Sequence, residues 1–88
     1  MDMKSVVTKT SDAAYRVYDG MATIVLPGRA EVKVLNPAGS LVWDRIDGSH
    51  PLEEILEAIV EEFDIPRRQA EQDLLEFVTE LRNHGMVS

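Results

Sequence analysis

The chain contains no cysteine, which excludes a disulfide framework, a cysteine-ligated zinc site and a thiol nucleophile, and fits a reducing compartment. It has no apolar run approaching the roughly 18 residues of a membrane span, and residues 1–10 are too polar for a secretory signal. A soluble, unprocessed, cytoplasmic protein is expected. Positive charge is scarce: 9 Lys and Arg stand against 16 Asp and Glu, for a net charge of −7. That balance repels phosphate backbones, so neither nucleic acid nor membrane is an expected partner; basic partners, or partners held by backbone pairing, are favoured. There is no glycine-rich phosphate loop and no clustered acid and base pair. The two histidines, His50 and His84, have no nucleophile or carboxylate at a defined spacing. No enzyme, no cofactor and no metal site are expected. With 88 residues the chain has room for a single modest core, since a domain of this size buries only about 60 to 65% of its unfolded surface.

What is present falls into two halves. Residues 1–13 are mostly polar, with a Val6-Val7 pair, and are expected to be a flexible or weakly ordered tail, or a weak first edge. From Ala14 the composition turns β-branched and aromatic: Tyr15, Val17 and then Met21 to Leu26, interrupted by Asp19-Gly20, a strong turn dipeptide. Pro27-Gly28 is a second turn signal. A third strand is expected over Ala30 to Leu35, where Ala30, Val32 and Val34 alternate with Glu31 and Lys33 in the period of a strand buried on one face. The first half therefore predicts a three-stranded antiparallel meander.

The second half predicts three helices. In the stretch Leu35 to Gly48, LNPAGSLVWDRIDG, Asn36 is a good N-cap, Pro37 occupies the first helical position without losing a hydrogen bond, and Asp47-Gly48 is a stop. Ala38, Leu41, Val42 and Ile46 form its apolar stripe, with Trp43 at the margin, sealing the edge of the bundle. A second helix begins at Pro51, with Leu52, Ile55, Leu56, Ile59, Val60 and Phe63 on one face. Its other face carries Glu53, Glu54, Glu57, Glu61 and Glu62, read as solvated rather than metal-binding. Asp64-Ile65-Pro66 breaks it. The third runs from Pro66 to about His84, with Ala70, Leu74, Phe77, Val78 and Leu81 inward and Gly85 as its stop, after which Met86 and Val87 fold back on the core. Three strands and then three helices make a small α+β domain over 14–88, winged-helix-like, in which a β-meander precedes a three-helix bundle.

This order resembles the PqqD family, whose members are also called RiPP recognition elements. The family pattern is a strand ending in Leu-Asn or Leu-Asp, a short helix ending in Asp-Gly, a Leu-xx-Ile-Leu helix, an acidic break, and a long helix ending in Leu, Gly and a hydrophobic residue. Here those elements are Leu35-Asn36, Asp47-Gly48, Leu52 to Leu56, Asp64, and Leu81 to Val87. Members dedicated to pyrroloquinoline quinone usually carry Leu-Cys-Asp-Gly where this chain has Arg45-Ile46-Asp47-Gly48. The resemblance is thus to the broad family more than to its quinone-specific members.

The resemblance implies a non-catalytic chaperone that binds the leader of a ribosomally made precursor peptide by strand addition and presents it to a modifying enzyme, often a radical SAM protein. It implies contacts from Ala30, Val32, Lys33, Val34 and Leu35 on the third strand. On the third helix, a stripe of Arg68, Gln72, Leu75, Thr79 and Arg82 flanks the core face, where Leu75 could hold an apolar anchor and the arginines an acidic one. The residues themselves leave blander readings open: sheet core for Ala30, Val32 and Val34, a scattered surface leucine for Leu75, and solvated or helix-paired arginines. Two other functions also stay open. A winged-helix DNA-binding protein would read with the third helix, whose Arg67, Arg68 and Arg82 are outweighed by Glu71, Asp73, Glu76 and Glu80. A self-pairing module would join its own edges, so the expected state is a monomer or weak homodimer.

Overall fold

The computed structural model describes residues 2–11, 13–26, 28 and 31–87. The expected strand residue Ala30 and the Pro27 half of the second turn lie outside them. The elements run β1 (Ala14–Tyr18), β2 (Met21–Leu26), β3 (Glu31–Val34), α1 (Pro37–Arg45), α2 (Leu52–Phe63) and α3 (Arg67–Asn83). The three strands form an antiparallel sheet in the order β1-β2-β3, as the alternation and turn signals predict. Asp19 and Gly20 both take positive φ, 56° and 76°. Between the paired ends Tyr18 and Met21 this is a two-residue hairpin whose twist suits the strands.

The joint between sheet and bundle is built as its sequence suggests. The Asn36 side chain accepts from the Gly39 N–H at 2.7 Å, and Pro37 follows at the start of α1. Ser40, one turn later, is buried and inserts its hydroxyl between two strands. Its Oγ accepts from the Ala22 N–H at 2.7 Å and donates to the Leu35 carbonyl at 3.4 Å, while the Leu35 N–H donates to the Ala22 carbonyl at 2.8 Å. One hydroxyl thus takes the place of a ladder hydrogen bond and ties α1 to the sheet. Ser40→Ala is expected to destabilise the domain by about 1 to 3 kcal/mol, because the Ala22 N–H is left buried and unpaired. Urea unfolding of the two proteins checks this. Gly39 is closely packed: a Cβ there would lie 3.2 Å from the Phe77 ring, which would have to shift by a few tenths of an ångström.

The core lies between β2 and the helices. Ala22, Ile24 and Leu26 face Val42, Trp43 and Ile46 of α1 and its exit, Leu52, Ile55, Leu56 and Ile59 of α2, and Ala70, Leu74, Val78 and Leu81 of α3. Met86 and Val87 fold back into it, as expected. Trp43 sits within this core at 1% exposure rather than at its margin, and this corrects the reading of its position on the helical stripe. Tyr15 meets it edge-on with ring centroids 5.5 Å apart, and Lys9 Nζ lies 5.0 Å from its ring. Sheet residues and the chain's first segment cover the side that the wheel of α1 leaves open.

Segment 1–13, for which the sequence offers a loose tail or a weak edge, contributes Val7 to the core. It also serves α2. Pro51 at the head of that helix provides no side-chain cap, and the first amides find backbone partners instead: Leu52 N–H donates to the Ser5 carbonyl at 2.9 Å and Glu53 N–H to the Met3 carbonyl at 2.7 Å. Among the described residues no helix is long and apolar enough to cross a membrane.

Candidate functional site

The β3 strand is an edge, and the hydrogen-bond parity shows what that edge presents. In an antiparallel ladder, paired residues alternate between those that exchange hydrogen bonds and those that do not. The register Thr23↔Val34, Ile24↔Lys33, Val25↔Val32, Leu26↔Glu31 extends to Ala22 opposite Leu35, where the Leu35 N–H bonds to Ala22. Lys33 and Glu31 therefore share the bonding parity of Leu35 and turn their amides and carbonyls toward β2. Val32 and Val34 have the opposite parity. Their two N–H and two C=O groups point away from the sheet.

Side chains on β3 are reversed relative to expectation. Val32 and Val34 are each 65% exposed, so the reading of these two as sheet core is overturned. They share the outward face with Thr23 and Val25. Glu31 and Lys33 lie opposite Leu26 and Ile24 on the inward face and are half-buried. The physical reason is that β3 extends past the apolar layer, so its inward positions meet the polar flank of α3. Lys33 pairs with Glu80, and His84 Nδ1 lies 3.4 Å from Glu31 Oε2. The bond from Lys33 holds the Glu80 carboxyl below its ordinary 4.5. Leu35 is buried and anchors the end of the strand.

Between this edge and α3 the surface is concave. One depression is bounded by Glu31, Val32, Lys33, His84 and Met86. A second, open one of about 410 Å³ lies on the surface of α3 itself, along Leu75, Glu76, Thr79, Glu80, Asn83 and His84. The structure therefore brings Val32, Lys33, Leu75 and Thr79 to neighbouring concavities that share His84. Arg68, Gln72 and Arg82 are exposed on α3 outside both. At about 100° per residue, Arg68, Leu75 and Arg82 lie roughly 120 to 160° around the helix from Glu80. Arg67 is engaged by Glu57 of α2. Glu76, Glu80, Asn83 and His84, which sequence reasoning did not choose, line the groove. The sequence held no signal for them, since the two links to β3 that mark their side of α3 belong to the packed molecule.

The other features are structural. Asp47 accepts from the Ser49 N–H and hydroxyl and contacts His50 Nδ1 at 2.8 Å, and these contacts, that of His50 foremost, hold its carboxyl well below its ordinary 3.8. A cavity of about 230 Å³ opens between the start of α1 and α3, lined in part by Asn36, Val42, Ile59, Asp73 and Phe77.

Two solved structures share this architecture. One is described as TbiB1 in complex with the TbiA(beta) leader peptide: it is 22% identical, with a TM-score of 0.86, over 92% of this chain and 94% of that one. The other is lasso peptide synthetase B1 complexed with the leader peptide, at 20% identity and a TM-score of 0.85, over 96% of this chain and 99% of that one. At these identities the likeness establishes the fold. A search of curated proteins gives no match. The family model described as coenzyme PQQ synthesis protein D matches residues 23–87, from β2 to the buried tail, and the chain belongs to the PqqD family.

Proposed function

We propose that this domain is a non-catalytic chaperone that binds the leader of a ribosomally made precursor peptide along β3 and presents it to a modifying enzyme. The activity is placed in residues 14–88. The observation that carries this reading is the row of outward Val32 and Val34 backbone groups beside a groove walled by α3, in a fold otherwise solved with leader peptides on two similar proteins. A peptide strand completes the sheet at such an edge, its backbone bonds supplying affinity and the groove supplying choice. A radical SAM protein is the class of modifying enzyme that the family resemblance favours.

Magnitudes define the division of labour. Four edge hydrogen bonds are worth about 2 to 6 kcal/mol together, before the cost of ordering the peptide. Micromolar binding needs about 8 kcal/mol. Side chains beside the edge must supply the rest, with the exposed Val32 and Val34 as apolar contacts. The DNA-binding alternative is weakened because α3 is net acidic and Arg67 is already paired.

A ¹⁵N-labelled titration with the leader of a small peptide encoded beside this gene tests the reading, with duplex DNA at matched salt as control. Saturable shifts are expected at Val32, Val34 and the groove face of α3 with the leader alone. No shift at those amides, or equal shifts with DNA, would overturn it. Light scattering on the free protein separates a domain already paired through its own edge.

A further inference from the structure

We propose that the β3 edge selects its peptide by charge order: an acidic side chain facing Lys33, followed two residues later by a basic one facing Glu31, with apolar side chains between and before them lying beside Val32 and Val34. This rests on the strand-addition reading and names the class of leader that the edge would take. Leaders of that class have alternating apolar and charged residues, with acid before base in the N-to-C direction.

The argument begins from the register. A strand added beside β3 would bond to the outward groups of Val32 and Val34, so its residues opposite these two point outward like them. Those side chains extend the apolar face already formed by Val25, Val32 and Val34, and β-branched or aromatic cross-strand neighbours are favoured there. The residues opposite Lys33 and Glu31 fall at the other parity. Their side chains point inward, into the space between β3 and α3, where opposing Cβ atoms approach closest.

That space is crossed in the free protein by the two contacts from β3 to α3, Lys33 with Glu80 and Glu31 with His84. A strand takes about 4.8 Å of width, so a peptide seated there lies between these partners. Lys33 and Glu31 are then left facing the newcomer. A carboxylate opposite Lys33 takes the place of Glu80, and a cation opposite Glu31 takes the place of His84. A like charge at either position would set two like-charged groups against each other in a half-buried groove. Both existing strand pairs are antiparallel, and parallel pairing is slightly weaker per residue, which sets the order as acid before base.

The test uses two synthetic strand peptides of about eight residues and identical composition, valine-rich, with Asp and Arg at the two inward positions in either order. Each carries a spin label at its N-terminus and is titrated into ¹⁵N-labelled protein. The acid-first peptide is expected to bind about tenfold more tightly, with the label broadening Val34 more than Glu31. The double variant Glu31→Lys, Lys33→Glu is expected to reverse the preference. Equal affinities accompanied by shifts at Val32 and Val34, or a label that broadens Glu31 first, would overturn the charge order and leave strand addition standing. Absence of shifts at Val32 and Val34 with both peptides would overturn both.

Discussion

Val32→Pro is expected to abolish strand addition, with at least a tenfold loss of leader affinity, while leaving the domain folded. Proline removes an N–H and places its ring where that N–H was; within sheets it is tolerated only where the missing donor faces solvent on an edge. The Val32 N–H is in that position, pointing away from β2, and its side chain is 65% exposed. Its loss therefore costs the fold less than about 1 kcal/mol, but takes from the peptide both a donor and the room to pair. Lys33→Pro is the matched control with the opposite outcome. The Lys33 amide faces the Ile24 carbonyl by parity, and Ile24 is fully buried. Leaving that carbonyl without a donor is expected to cost about 1 to 3 kcal/mol. Thermal melts and leader titrations on both variants separate the edge from the ladder. If Val32→Pro binds leader as the native chain does, the peptide does not pair with this edge.

Trp43→Ala is expected to unfold much of the population. A fully buried Trp replaced by Ala costs about 3 to 5 kcal/mol, against a total stability of about 5 to 15 kcal/mol in small domains, and 88 residues place this chain toward the low end. The side chain joins three parts of the molecule: α1, Tyr15 of β1, and the first segment through Lys9. Trp43→Phe is expected to be milder. It retains a ring and removes an indole N–H that is buried and has no acceptor among the described residues. Because Trp43 is the only tryptophan, circular dichroism rather than fluorescence must follow the urea transitions. Equal midpoints for Trp43→Ala and the native protein would show that the ring is not buried as described.

Much of the architecture is legible because local chemistry and tertiary demand agree. Asn36-Pro37 starts α1, proline stands at the head of α2 and α3, Asp64 takes the left-handed turn that ends α2, and Asp19-Gly20 makes the hairpin. The inversion of β3 marks where this agreement stops. Alternation tells which residues share a face but not which face is inward. At a strand that runs past the apolar layer, the inward positions went to Glu31 and Lys33 because α3 offers charges there. The stripe chosen on α3 failed to identify Glu80 and His84 for a related reason. A helical wheel locates the core face, but the side on which a neighbouring strand lies is a property of the packed molecule. Val7 gave no signal, since one buried residue has no period.

The contacts of the first segment with the tail carry a consequence for the order of folding. Thr10 N–H donates to the Met86 carbonyl at 3.0 Å, its hydroxyl donates to the Gly85 carbonyl at 2.7 Å across 75 positions, and Lys9 bridges Val87. Before the hairpins and helices shorten the intervening chain, such a contact bears nearly the largest loop-closure entropy the molecule can impose. It is expected to close after the body has formed and to open locally before the global transition. The Val7 anchor and the backbone partners of α2 travel on the same segment. On this entropic argument the closure that completes the core and the head of α2 comes last, and the β3 edge, assembled from neighbouring strands, precedes it.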